Sequence, residues 1–472
     1  MTITIEQNAG TQPRTTDGAG DVDAALHELY DTVPQGIVSV WGEDIAARSQ
    51  DHSIFTPSRA AALITPETVE QVSATLAIAN RHRVPVFTWG RGTGMAGGAT
   101  PTARGFILST ERLDHILDVD PVDQTVTVEA GVITADINKR IVDTGLFYAP
   151  DPASAAISSI GGNIATNAGG FHCVKYGVTK DSVLSLKVAL ADGSVITTGR
   201  RTIKNVSGLD VTSLFVGSEG LLGVVVEATL RLHPRPTDTA TLVGFVHDIE
   251  DIGTGVEAVV GSRVQPSVCE MLEVLPQLRA SERFAPIVGD AQWMLLIQTD
   301  GAGAREDARG IGAALESAGV RAVEITDRQE VDWLFELRRS GKPYPTDAWL
   351  AGGDVSVPLS RLAGFFRTLT AIADRHGFTY QIVAHVGDGN IHSAFFTPKS
   401  EYDTYPQALN DAHREMVREA LAIGGSLTGE HGIGLELKAY LADQVGERNL
   451  ELQRAIKRVY DPNGILNPGK WL

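Results

Sequence analysis

Cysteine is almost absent: the 472 residues contain only Cys173 and Cys269, in unrelated contexts. They imply neither a disulfide scaffold nor a cysteine zinc site, and a reducing, cytoplasmic setting fits. Basic charge is also short. Forty Lys and Arg stand against 58 Asp and Glu, a formal net charge of −18, which argues against the dense cationic surface of a nucleic-acid binder. An anionic substrate must then be drawn by a local cation or a metal. No apolar run approaches the roughly 20 residues of a membrane helix, so any membrane contact is expected to be peripheral. Residues 1–21 lack the basic-then-apolar order of a signal peptide and read as a polar tail. The remaining composition, 43% hydrophobic and 21% charged, is ordinary for a globular chain of two or three domains.

One stretch carries concentrated chemistry. Ala384 to His392 lies between two strand-forming runs, Tyr380 to Val383 and Ser393 to Phe396, and contains Asp388-Gly389, a strong two-residue hairpin signal. A turn there sets His385 opposite His392. Directly paired residues have Cβ atoms about 4.5–5.5 Å apart, so two imidazoles would be placed to chelate one divalent ion, zinc being the best suited. The best candidate for a third ligand is in Gly429-Glu430-His431-Gly432, which puts a carboxylate and a third His together between two glycines. Two histidines beside a turn are in themselves ordinary polar residues. The register and the nearby Glu-His pair favour a shared metal.

The chain upstream is punctuated by glycine. Thr65-Pro66 reads as a helix start, followed by Val69, Val72, Leu76 and Ala79 at helical spacing. A strand over 84–88 runs into Gly90-Arg91-Gly92-Thr93-Gly94-Met95-Ala96-Gly97-Gly98. Such a loop suits an anion nest or a plain turn. Its spacing is wrong for a dinucleotide fingerprint, and no helix follows. A second small-residue stretch spans Ser159 to Gly170, where the backbone can approach a large flat ligand. Phe215 to Gly223 is a third, opening an apolar strand that ends near Leu232, and Pro234 and Pro236 mark a boundary. Further on, strands over 241–246 and 293–299 alternate with helices over 249–260 and 305–318, as in an open sheet covered by helices.

The three glycine-rich segments, the His385 hairpin, Glu430-His431 and the closing Asp461-Pro462-Asn463-Gly464-Ile465-Leu466-Asn467-Pro468-Gly469-Lys470 together resemble the vanillyl-alcohol-oxidase and para-cresol-methylhydroxylase (PCMH) superfamily. The resemblance covers roughly residues 55–472 and points to the D-2-hydroxy-acid dehydrogenase branch of D-lactate, glycolate and D-2-hydroxyglutarate dehydrogenases. It implies an α+β fold: a tail and lead-in helix over 1–54, a two-subdomain PCMH-type FAD-binding domain over 55–236, an antiparallel-sheet substrate domain over 237–420, and a helical C-terminal segment over 421–472 returning to the flavin. The FAD contacts implied are Gly90, Arg91, Gly92, Thr93, Gly94, Gly97, Gly98, Pro152, Ser159, Gly161, Gly162, Asn163, Thr166, Asn167, Gly169, Glu219, Gly223 and Asn467. Arg338, in Trp333 to Arg339, matches the family's binder of the substrate carboxylate; on the residues alone it reads as a solvated helix charge.

Two departures from the family pattern matter. Gly352-Gly353 stands before Asp354-Val355-Ser356-Val357-Pro358, where many hydroxyglutarate-type members carry a cationic residue, so a D-lactate-like substrate is favoured over a dicarboxylate. Lys342, four residues past Arg338, and Arg339 are the candidate replacements. Met95 stands where relatives with covalent FAD have histidine, so FAD is expected to be non-covalent, with His172 and Cys173 as alternative attachment points. The reaction read from this set is oxidation of a D-2-hydroxy acid to the 2-oxo acid. His385, His392 and Glu430 hold the metal, His431 acts as base, and Asn390 joins Arg338 on the carboxylate. The electron acceptor, a quinone or an electron-transfer protein, leaves no motif, and a homodimer is allowed. Alternatives are a D-2-hydroxyglutarate dehydrogenase, an ether-forming transferase of the alkyl-dihydroxyacetonephosphate synthase type, and a non-catalytic flavin- or metal-binding protein.

Overall fold

The computed structural model describes residues 20–472; the tail read over 1–21 lies, up to residue 19, outside the described residues. The chain forms two compact units. The first comprises the chain up to Ala168, Val178–Pro234 and Glu430–Leu472, and the second comprises Gly169–Gly177 and Arg235–Gly429. Among the described residues no helix is long and apolar enough to cross a membrane.

The first unit contains two main sheets. In one, Ala62–Ile64, Phe106–Ser109 and Val86–Trp89 run parallel, and Val38–Ser39 pairs antiparallel at the edge. The parallel strands are apolar except for Thr88 and Ser109, as expected of strands buried on both faces. The other sheet is antiparallel and five-stranded, in the order Ile116–Asp120, Thr125–Glu129, Val224–Arg231, Val183–Ala189, Val195–Gly199. In Val224–Arg231 burial alternates strictly. Val224, Val226, Ala228 and Leu230 point inward because successive strand side chains face opposite ways.

The helix expected to start at Thr65-Pro66 instead spans Val69–Arg81, with the Thr68 hydroxyl accepting from the Gln71 N–H. Thr65 is spent on the strand: its N–H donates to the Ile37 carbonyl. Val72, Leu76 and Ala79 form the buried stripe, as their spacing predicts. The chain end returns to this unit, where Leu466 bridges Val86. The Asn467 side chain accepts from the Thr88 N–H and donates to the Glu219 carbonyl.

The second unit is built on a seven-stranded sheet whose strand pairings are all antiparallel. In chain order its strands are β1 (Thr239–Val246), β2 (Val268–Glu273), β3 (Trp293–Asp300), β4 (Arg321–Ile325), β5 (Ala348–Ser356), β6 (Thr379–His385) and β7 (Asn390–Pro398). Their spatial order is β4-β1-β3-β2-β6-β7-β5. On one face, Val243, Phe245, Val268, Leu272, Met294 and Leu296 form a core with Leu334 and Leu337 of the helix Arg328–Ser340, and with Phe171. Gly353 of β5 packs closely under the helix Gln407–Ala422: a Cβ there would lie 2.2 Å from the Met416 methyl and would displace that side chain.

Candidate active site

In the first unit, a cavity of about 460 Å³ is lined largely by glycine, alanine, serine and threonine. Gly90, Arg91, Gly92, Thr93, Gly94 and Gly98 come from the first glycine segment, Pro152, Ser159, Gly161, Gly162, Asn163 and Thr166 from the second, Glu219 and Gly223 from the third, and Asn467 from the chain end. Gly97, Asn167 and Gly169 were expected here and do not line it. Gly97 has φ +79°, and a Cβ there would strike Phe55; Asn167 ends the helix Ile160–Thr166 in a left-handed conformation; Gly169 belongs to the second unit. Gly94 and Gly98 have negative φ, and the nearest atom to an added Cβ is 3.8 and 3.5 Å away. Packing does not require them to be bare; their side chains would instead fill a cradle. At this volume, with walls of backbone and small residues, the cavity suits a large flat cofactor.

Two buried charged groups hold the chain around this cavity in place. The Glu219 carboxylate accepts from the N–H groups of Ile433 and Gly434 at 2.7 and 2.8 Å. Burial raises its carboxyl above the usual range, and these two bonds oppose the rise. The Lys470 ammonium donates to the Gly97 and Thr100 carbonyls, closing the glycine loop. Burial lowers it to about 8 against the opposing charges of Asp51 and Glu219. Asp51 in turn accepts from Ala99 N–H and the Thr100 hydroxyl. Glu430 and His431 both line the cavity. Gly432 follows them with φ +87°, a reversal that favours glycine. Met95 also lines it and is half exposed; His172 and Cys173 lie in the second unit's Gly169–Gly177 segment and do not.

In the second unit the β6–β7 hairpin differs in register from expectation. His385 pairs with Asn390 and Val383 with His392, leaving a four-residue loop, Val386 to Gly389. The reason lies outside the hairpin. Gly387 donates to the Cys269 carbonyl of β2, and Gly389 accepts from Val357 N–H, so the loop is held from both sides. A shift of two residues keeps every side chain on its face, and the His385 and His392 rings remain 5.3 Å apart between centroids.

Each imidazole has a buried carboxylate on the neighbouring strand. Met271 of β2 pairs with Ala384. One step along that ladder Glu270, fully buried, meets His385 with Oε1 2.8 Å from Nδ1. On the other side Asp354 of β5 pairs with His392, its Oδ1 3.5 Å from Nδ1. Asp354 also accepts from Asn390 Nδ2, the Thr428 hydroxyl and Gly429 N–H. Glu430 is the next residue in the chain. At His385 the carboxylate 2.8 Å from Nδ1 fixes the tautomer that leaves Nε2 as a metal ligand. Neither acid was singled out from sequence as such a partner; the signal available was a glutamate inside the apolar run Val268 to Leu272.

Arg338 is buried, not a solvated helix charge: its guanidinium lies 2.6 Å from Glu270 Oε2 and 5.2 Å above the Phe171 ring. Its Nε makes no hydrogen bond, leaving donor capacity for an anion. The expected donation from Asn390 to a substrate is corrected. Its amide nitrogen already serves Asp354 Oδ1 and the Val355 carbonyl, so it positions Asp354. Lys342 does not share a helix face with Arg338. The helix ends at Ser340, Gly341 follows with φ +59°, and Lys342 pairs with Glu273 at 2.5 Å.

Residues 60–199 match the FAD binding domain family, and residues 235–471 match the family described as FAD linked oxidases, C-terminal domain. The chain is 37% identical to the glycolate oxidase subunit GlcD of Bacillus subtilis over 420 residues, 87% of this chain and 88% of that protein. It is 33% identical to the D-lactate dehydrogenase of Archaeoglobus fulgidus over 92% of this chain and 97% of that one. The structure of p-cresol methylhydroxylase superposes with a TM-score of 0.78 over 95% of this chain and 96% of that one; at 19% identity this shows the fold alone. By both domain matches and by near full-length similarity, the chain belongs to the FAD-linked oxidase family, in its hydroxy-acid dehydrogenase branch.

Proposed function

We propose that the protein oxidises a small D-2-hydroxy acid, D-lactate or one like it, to the 2-oxo acid. FAD is held without a covalent bond, and His385, His392 and Glu430 hold a divalent ion, zinc by the ligand set. The observation that carries this reading is the pair of imidazoles 5.3 Å apart, each with a buried carboxylate at Nδ1, on the sheet that also places Arg338. When bound, the flavin accepts the hydride from the carbinol carbon. The ion would lower the pKa of the substrate hydroxyl. Arg338 offers its unused N–H groups to the carboxylate, and His431 takes the hydroxyl proton. We place the protein in the cytoplasm, passing electrons to a quinone or an electron-transfer protein. Anaerobic bleaching of the flavin by a panel of D- and L-2-hydroxy acids tests the reading; if no member of the panel bleaches it, the reading is wrong.

Two further expectations belong here. With Met95 half exposed in the cavity wall and His172 and Cys173 outside it, acid precipitation should release all the FAD into the supernatant. Yellow protein in the pellet would show a tether. For substrate choice, Gly352 and Gly353 supply no cation and Lys342 is engaged by Glu273. A second buried carboxylate would go unpaired, at a cost too high to tolerate. We therefore expect kcat/KM for D-lactate to exceed that for D-2-hydroxyglutarate by about tenfold or more, with Lys342→Ala changing neither. A dicarboxylate preference that collapses in Lys342→Ala would reverse the assignment.

A further inference from the structure

Glu270 touches both the candidate metal ligand His385 and the candidate carboxylate binder Arg338, and nothing in the proposed reaction uses it. Its two oxygens are divided: Oε1 lies 2.8 Å from His385 Nδ1, and Oε2 lies 2.6 Å from Arg338 Nη2. It is fully buried, flanked along its strand by Val268, Cys269, Met271 and Leu272, and the Phe171 ring covers the pair, 5.7 Å from the His385 ring and 5.2 Å from the guanidinium. A carboxylate taken out of water is retained at a large desolvation cost unless both oxygens are partnered. Here the partners are two functional groups. We propose that Glu270 is a positioning residue that holds His385 as the Nδ1–H tautomer, with Nε2 presented as ligand, and fixes Arg338 relative to it, so that ion and substrate carboxylate are registered through one side chain. The proposal rests on the metal reading above for its main readout. Glu270 itself touches neither substrate nor flavin in this role.

The test uses full-length holoenzyme, with FAD content as the control for folding. In Glu270→Gln, zinc affinity measured by competition against a chelator should fall about 10–100-fold while FAD is retained, the loss typical for an outer partner of a metal histidine. Arg338→Met removes no ligand, yet it should shift zinc affinity by about threefold or more, because Glu270 loses its second anchor. Zinc affinity within twofold of wild type in both variants, with FAD bound, overturns the proposal. Wild-type protein that takes up no zinc overturns the metal reading instead. The tautomer of His385 in metal-free protein, read from ¹⁵N shifts of labelled histidine, then decides the matter. An Nδ1–H form in the wild type that is lost in the double variant Glu270→Leu, Arg338→Met supports the role of Glu270; the same tautomer in both refutes it. That double variant replaces the buried pair by apolar groups and so guards against misfolding of a half-broken one.

Discussion

Replacing His385 by alanine is expected to strip the divalent ion from the protein while leaving FAD in place, and to lower kcat/KM for D-lactate by about three orders of magnitude. Two separate facts set the two halves of that result. The FAD half follows because the glycine-lined cavity is built within the first unit from residues that do not include His385. The metal half follows because His385 is one of two imidazoles on a rigid hairpin, with Nδ1 already committed to Glu270, so Nε2 is the nitrogen left to bind. Stability should fall only modestly. Glu270 keeps Arg338 as its partner, so the substitution does not leave a buried charge wholly alone. Metal analysis by mass spectrometry and absorbance of the flavin on the same sample give both readouts. Equal metal content in variant and wild type would remove His385 from the ligand set.

How far the sequence could be read depends on the range of the interactions involved. Local patterns translated directly: the stripe Val72, Leu76, Ala79 is buried on one face of its helix. The glycine segments could be recognised because a bare backbone is a property of the residues themselves, and most of them do line one cavity. The histidine pair survived a wrong register because strand faces repeat every two residues and the slip was two. What stayed hidden were partners set by long-range pairing. Glu270 lies 115 residues before His385, and only the meeting of β2 with β6 makes it the neighbour of that ring. The same holds for Arg338, whose burial depends on that glutamate, and for Glu219, whose oxygens are used by amides more than 200 residues later. A helix through Trp333 to Arg339 is legible in the sequence, but its end at Ser340 is not, and that end takes Lys342 away from Arg338.

His431 is the remaining residue with a large expected effect. It lies in a short segment of the first unit whose course is fixed by several independent contacts: Glu219 accepts from Ile433 and Gly434 N–H groups, and the Ala96 carbonyl accepts from Leu435 N–H. Side chains at 432 and 434 are excluded, since a Cβ would lie 2.9 Å from Glu219 Oε1 at the first and 2.1 Å from the Ala96 carbonyl at the second, and both have positive φ. So held, Glu430 and His431 both line the cavity even though consecutive residues of an extended chain would face opposite ways. A ring on a segment with this little freedom is well placed to take a proton at a defined point, where a base contributes about 10²–10⁴-fold. His431→Asn keeps a polar side chain of similar reach but is a far poorer base. We expect it to slow anaerobic flavin reduction by D-lactate by about that factor, with FAD and metal content unchanged and KM within about threefold. The residual rate should rise steadily with pH as hydroxide takes over the missing base. A variant that loses KM and not kcat would make His431 a binding residue, and one within tenfold of wild-type kcat would leave the proton to be taken by another group.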